Sequence, residues 1–476
     1  MFRLLSPTLL LLLLACGPTE SASDASSKPD AGWTPDAGTT PDAGGTPDAA
    51  PRPVEILFQA TRDGGPTPVE RVVYAEPYHV VVENLAPGQS LFVQATMWGY
   101  ESHADFVAGD DGRLDTARDA PVPGTGTYEG VDPDGLTWSM EKLSNRTEDN
   151  YDITYHVWTG GDEPTTRTLV RLPMGHDARL RDVREDGLYG TLLVPPGPPR
   201  PVVVVVGGSE GGLDGALFSA AHVETMGYAA LALAYFDAQG LPATLTEIPL
   251  EYFGRAFAWL RRQTDVDGER ILFLGGSRGG ELALLVASTF PDDVDAVIAH
   301  VGSGLVFGSP ASMDRSAWSQ GGAPVPFLQL PDDLVPVTEN LPRGGTGYRW
   351  APATEAAIQT MPAESVDAVT IAVEAMSGPA LIVAGEDDGL WPSCFLSRRA
   401  WSRLQSSGHE VTHGDAFHCL PDAGHWFGTP GWPTAESYTS WMEGQTVILG
   451  GTPAGNGRAS RAYDTLIRAF LRRVAP

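Results

Sequence analysis

The 476-residue chain is poor in the residues that would commit it to a metal, a nucleic acid or a disulfide scaffold. It has three cysteines and no CxxC or HExxH pair, so a zinc reading finds no ligand set. Bases are scarce: 31 Lys and Arg stand against 60 Asp and Glu. The first 50 residues hold six of those acids and two of those bases, which leaves 54 against 29, or −25, on the rest. A surface of that sign excludes nucleic acid as a partner and disfavours polyanionic small molecules unless a local basic patch receives them. The glycine-rich "GGSEGG" at 207–212 is not followed by a Lys-Ser/Thr pair, which argues against a phosphate-cradling loop. The apolar run at residues 9–14 is too short to span a bilayer.

That run is nevertheless the first feature present. Arg3 supplies a positive start, the leucines an apolar centre, and "LLAC" a small-residue end. The pattern resembles a bacterial lipoprotein signal, which implies cleavage before Cys16 and lipidation of that cysteine. An ordinary secretory signal in which Cys16 is incidental is the plainer alternative. Acyl chains on Cys16 would anchor the protein outside the cytoplasm, on a periplasmic face or the cell surface, without a membrane-crossing helix. Residues 17–53 follow as a tether: PDA units start at Pro29, Pro35, Pro41 and Pro47, with almost nothing apolar to bury.

From about Val54 the composition turns globular. Some 420 residues exceed what one core usually holds, so two domains are expected, at 54–172 and 173–476. In the first, "HVVVENL", "SLFVQATMW" and "NYDITYHVWT" are β-rich runs between Gly, Pro and Asp turns, with no clear helix. They predict an antiparallel, immunoglobulin-like sandwich that supports or covers the second domain. Trp138 is expected to bury its ring. Asn145-Arg146-Thr147 fits a glycosylation sequon, here read as chance.

From about Leu180, buried runs alternate with helical spacing: "PVVVVVGG", "YAALALAYF", "LEYFGRAFAWLRRQ", "RILFLGG", "VDAVIAHVGS" and "PALIVAGEDD". Repeated βα units predict a mostly parallel sheet covered on both faces, an α/β fold. The segment 305–378 reads as irregular and Pro-rich, a lid or substrate wall with Trp318, Phe327, Tyr348 and Trp350 as candidate contacts; packing aromatics are the equal alternative.

Gly275-Gly276-Ser277-Arg278-Gly279 is a G-x-S-x-G between a predicted strand and a predicted helix. Small neighbours let a serine occupy a strained turn with its hydroxyl exposed. A serine hydroxyl needs a base, and the base needs an orienting carboxylate. "VAGEDDGLWP" offers Asp388, by its spacing from Gly385 and Trp391, with Asp387 as competitor. "LPDAGHWF" offers His425 in a loop past the last strand. His409, His413 and His418 lack that setting, and His300 reads as a core histidine. Backbone donors for a developing oxyanion are expected at Arg278 and, in the loop after "VVVVV", at Ser209 or Glu210. Cys394 and Cys419 can bridge or remain two free thiols.

"AYFDAQGLPATLTEIPLEYFGRAFAWL" followed by "GGSRGGELALL" resembles the bile acid-CoA:amino acid N-acyltransferase and acyl-CoA thioesterase family. "GEDDGLWPS", "CLPDAGHWFGTPGWP" and "ILGGTPAGNGRA" are similar to the same family in order and spacing, and "GTYEGVDPDGLTWSMEK" to its first domain. The resemblance implies an α/β-hydrolase behind a β-sandwich, with nucleophile, acid and base on Ser277, Asp388 and His425 and no cofactor. Serine rather than cysteine at 277 implies water as acyl acceptor. The expected activity is hydrolysis of a fatty acyl-CoA-like thioester through an acyl-serine. An esterase on an uncharged ester and an inert surface lipoprotein are the alternatives. Arg278 and Glu210 depart from the family's character, as does the export signal.

Overall fold

Alternating side chains build the first part of the fold. Along residues 55–60 of the strand Glu55–Arg62 and throughout Ser90–Met97 every second residue is buried, the period that lays one face of a strand on a core. The computed structural model describes residues 52–62, 64–143, 151–331, 333–341, 344–435, 438–441 and 445–476. Cys16, nearly all of the tether and the sequon at Asn145 lie outside them.

Two sheets result. One orders Gly65–Val69, Glu55–Arg62, Tyr78–Glu83 and Leu114–Asp115. The other orders Arg71–Val73, Thr165–Leu172, Ile153–Trp158, Ser90–Met97, Tyr100–Val107 and Glu141–Lys142. They share one core, where the Phe58 and Tyr155 rings lie 5.4 Å apart and the Tyr78 and Tyr155 hydroxyls bond at 2.8 Å. Two details depart from the sequence reading. Arg71–Val73 pairs parallel to Thr165–Leu172, because the chain leaving the first sheet carries its direction straight into the edge of the second. Gly135–Trp138 also forms one helical turn, too short to show a period.

That turn is part of the seam with the second domain. The buried Trp138 packs on Gly457, its indole N–H donates to Asp132 at 3.1 Å, and Arg461 donates to the same carboxylate at 2.9 Å. Trp432 joins Tyr74, Trp98, Tyr151 and Phe218 in a second aromatic contact, with ring centres 5.4 to 6.4 Å apart. Trp432 and Thr434, whose N–H donates to Trp138 O at 2.8 Å, belong to the stretch just after His425. The sandwich therefore braces that stretch.

The second domain is an eight-stranded sheet in the order Arg179–Val183, Tyr189–Val194, Ala229–Ala234, Pro201–Val206, Asp267–Gly276, Ala296–His300, Ala380–Gly385 and Ala416–Leu420. Tyr189–Val194 runs antiparallel to both of its neighbours, and every other pairing in the sheet is parallel. Pro201–Val206, Ala229–Ala234 and Ala380–Gly385 are buried at every position, as strands covered on both faces must be. Glu251–Leu260 brings Phe253, Phe257 and Trp259 to the core on one face; Pro453–Val474 brings Ile467, Phe470 and Leu471 to the other. This is the α/β-hydrolase architecture expected. Among the described residues no helix is long and apolar enough to cross a membrane.

The segment 305–378 is more ordered than its composition suggested. Gly308–Ser309 pairs with Ser312–Ser316, Trp318–Gln320 with Ala323–Pro324, and Val337–Asn340 with Thr346–Arg349; a helix follows at Ala351–Thr360. Its Gly and Pro residues keep the strands short, which is why no clear period is visible. Cys394 and Cys419 are joined by a disulfide, with Cα atoms 5.6 Å apart.

Candidate active site

Asp267–Gly276 lies mid-sheet, so its carboxyl end opens where ligands bind such sheets. The chain then turns sharply at Ser277, whose φ of 56° places a non-glycine residue in the left-handed region, and enters the helix Arg278–Thr289. Such a conformation is strained and persists because the surroundings determine it. Ser277 N–H donates to His300 O at 2.9 Å, and Gly280 N–H to Ser277 O at 2.9 Å. Two glycines make the turn possible: a Cβ on Gly275 would collide with Gly279 O, and one on Gly279 with Gly207 O. The hydroxyl of Ser277 is left half-buried at the helix N-terminus.

His425 arrives from the far end of the chain. Its ring lies between Ser277 Oγ, 3.0 Å from Nε2, and Asp388 Oδ2, 2.8 Å from Nδ1. Its own N–H donates to Leu449 O at 2.7 Å, and Asn456 accepts from Gly424 N–H at 2.8 Å, which fixes the loop on the last helix. Asp388 is buried, and its second oxygen accepts from the N–H groups of Leu390 at 3.0 Å and Trp391 at 3.2 Å. Asp387 turns the other way, to Arg349 at 2.9 Å and Gly451 N–H at 2.9 Å. The remaining late histidines have other employment. His409 bonds Asp415 at 2.6 Å and stacks on His413, while His418 is half-buried within its strand. His300 is stacked on Tyr463 at 4.4 Å, edge-on to Phe427 at 4.6 Å, and burial pushes its pKa down to about 3.

The loop after Pro201–Val206 reaches the same point: a Cβ on Gly208 would lie 3.0 Å from Ser277 Cβ. Tyr235 OH braces this loop, 3.0 Å from both Gly207 O and Gly208 O. Ser209 and Glu210 thus stand beside the nucleophile turn, opposite Arg278, whose N–H begins a helix and has no intrahelical acceptor. Gly208 N–H is already engaged, at 2.9 Å from both carboxylate oxygens of Glu210.

Beneath the turn lies a buried charge pair that sequence reading missed. Arg278 and Glu281 approach to 3.2 Å, an i,i+3 spacing that could have suggested it. Arg278 also donates to Phe307 O at 3.1 Å, and Glu281 accepts from Trp318 Nε1 at 2.7 Å and Phe307 N at 3.2 Å. Burial pushes the Glu281 carboxyl up to about 7, against the opposing pull of Arg278. Trp318 is wholly buried and cannot touch a substrate, so of the two readings of this residue the packing one holds; an aromatic's spacing does not distinguish a wall from a core. Tyr348 instead pairs with Val447, and Trp350 N–H donates to Gly389 O at 2.9 Å beside the Asp388 loop. Phe327 packs against Gly308.

Residues 248–474, which carry all three of Ser277, Asp388 and His425, match the family described as BAAT / Acyl-CoA thioester hydrolase C terminal. Residues 75–185 match the Acyl-CoA thioester hydrolase/BAAT N-terminal region. Among curated relatives, Acyl-coenzyme A thioesterase 1 of Homo sapiens is 30% identical over 415 residues, covering 82% of this chain and 92% of its own length. Peroxisomal succinyl-coenzyme A thioesterase of Mus musculus is 29% identical over 417 residues, covering 82% and 92%. Among solved structures, an arylesterase aligns over 64% of this chain and 87% of its own, with 14% identity and a TM-score of 0.38. By its two matched regions and the shared length of its human relative, the chain belongs to the acyl-CoA thioester hydrolase/BAAT family.

Proposed function

We propose that the protein hydrolyses an acyl thioester, a fatty acyl-CoA or a compound like it, through an acyl-serine on Ser277. The observation that carries this reading is the hydrogen-bonded chain from Ser277 through His425 to Asp388. Ser277 Oγ attacks the carbonyl carbon as His425 Nε2 takes its proton. Asp388 accepts from Nδ1–H, holding the ring's orientation and stabilising the imidazolium. The carbonyl oxygen, now negative, accepts from the Arg278 N–H and from that of Ser209, since the Glu210 N–H is bonded to its own carboxylate. The C–S bond breaks, and His425 returns the proton to the departing thiol. Water then gives its proton to His425 while its oxygen attacks the acyl carbon. The acid leaves as Ser277 regains its hydrogen.

A second reading, an esterase on an uncharged ester, is favoured by the −25 balance beyond residue 50, which opposes the phosphates of CoA. We further place the protein outside the cytoplasm, held by lipid on Cys16. The leader and tether support this, and the Cys394–Cys419 bridge suits an oxidising compartment.

The test uses the full-length protein in detergent with long-chain acyl-CoA, short aryl esters and a fluorophosphonate probe. Labelling lost in Ser277→Ala together with acyl-CoA turnover is the expected result. Labelling with ester turnover alone selects the esterase. An unlabelled wild type sinks both and leaves the inert lipoprotein.

A further inference from the structure

The side chain of Glu210 has no part in the mechanism above, yet it is built into the site. Glu210 is exposed, but its carboxylate folds back beneath its own loop into a cradle of three glycines. A Cβ on Gly207, Gly208 or Gly215 would run into it. Both oxygens lie 2.9 Å from Gly208 N. A Cβ on that same Gly208 would sit 2.9 Å from Glu210 Oε2 and 3.0 Å from Ser277 Cβ, so one backbone residue separates the carboxylate from the nucleophile. The Arg278 guanidinium is committed to Glu281 and to Phe307 O, and the charge that bears on Glu210 is that of His425, which favours the ionised carboxylate. The enclosing protein raises the Glu210 pKa, while its bonds to the N–H groups of Glu210 and Gly208 oppose the rise.

A fixed negative charge beside an oxyanion hole is costly, since negative charge must develop there. Its hydrogen bonds to the loop explain why it is held in place. Its consequence is felt by the substrate.

We propose that Glu210 determines acyl specificity: its carboxylate fixes the oxyanion loop through Gly208 N–H and excludes short acyl chains that end in a carboxylate, in favour of uncharged ones. This rests on the hydrolase reading of Ser277. In a five-carbon chain the terminal carboxylate stays within a few ångströms of the scissile carbonyl whichever way it runs. Two like charges at such range inside a cleft differ in energy enough for a tenfold effect or more.

The experiment compares the N-acetylcysteamine thioesters of pentanoate and glutarate, whose leaving group is uncharged, on the full-length protein, with Ser277→Ala as the background. The wild type should prefer pentanoyl by about tenfold or more in kcat/KM. Glu210→Gln removes the charge but keeps an amide oxygen to accept from Gly208, and should narrow the preference by about tenfold through a gain on glutaryl. Glu210→Ala should narrow it equally while lowering kcat on pentanoyl, because the loop loses its acceptor. A wild-type preference near unity overturns the proposal without any variant. So does an unchanged preference in either folded variant. A wild type that turns over neither thioester and takes no fluorophosphonate label removes the hydrolase reading, and this inference with it.

Discussion

Nδ1 of His425 lies 2.8 Å from Oδ2 of Asp388, while the adjacent Asp387 spends its carboxylate on Arg349 and Gly451. The two aspartates therefore separate experimentally. Asp388→Asn should lower kcat by about 10⁴-fold, because the wrong tautomer then faces Ser277. Asp387→Asn should cost less than about tenfold, since Arg349 and Gly451 still find an oxygen. Steady-state kinetics on a single ester or thioester decides it; equal losses would contradict the assignment.

Gly279 tolerates no side chain. A Cβ there meets Gly207 O, so Gly279→Ala must push the loop carrying Ser209 and Glu210 away from Arg278 N–H. Loss of one oxyanion donor lowers kcat by about 10² to 10³. A variant that keeps its melting temperature and wild-type kcat would show that this loop supplies no donor.

The Arg278–Glu281 pair tests what ties the segment after residue 304 to the nucleophile helix. Glu281 has no solvent exposure, so Glu281→Ala leaves Arg278 buried and unpaired. The expected cost is about 3–5 kcal/mol in urea unfolding. Glu281→Gln keeps the packing and an acceptor for Trp318 but also removes the charge, so it should lose nearly as much as the alanine variant. A much smaller loss in Glu281→Gln would mean that packing rather than charge is being measured.

His300 makes stability depend on pH. Its folded pKa of about 3 lies below the ordinary 6.5. Below 6.5 the unfolded chain therefore binds a proton that the folded protein refuses until about 3. This group's contribution to stability falls as pH drops through that window, by up to about 1.4 kcal/mol per unit. His300→Phe, which can stack on Tyr463 and Phe427 without titrating, should flatten the acid limb. Parallel curves for wild type and variant between pH 6.5 and 4 would show that His300 titrates as an ordinary histidine.

If Cys16 carries the proposed lipid, Cys16→Ser should abolish labelling by radioactive palmitate in a bacterial host and leave the leader uncleaved, read as a larger apparent mass. A variant that still takes the label, or is still cleaved, would remove Cys16 from the account.

The central strands of the large sheet were legible because each carries its burial in its own composition, whereas the edge strand Arg179–Val183, with one buried residue, was not. Pro201–Val206 and Ala380–Gly385 are apolar throughout, and Ser277 sits in a local pattern whose turn chemistry is complete within five residues. The order nucleophile, acid, base along the chain narrowed the partners to a few residues. What sequence could not supply is direction. Asp387 and Asp388 are neighbours on one loop, and the Asp388 to Gly450 backbone bridge, 62 residues apart in number, turns one inward and the other outward. Trp318 and Trp350 look alike in a Pro-rich segment until Glu281 claims the first.

Local pattern thus determined by itself the two-domain plan, the strained serine and the short list from which its partners come, because propensity and periodicity act over a few residues. Tertiary structure alone decided which aspartate meets His425, that Cys394 and Cys419 join, and that the Glu210 carboxylate lies under the oxyanion loop. Each of these depends on where a second, distant or differently oriented backbone comes to rest, and no short-range preference encodes that.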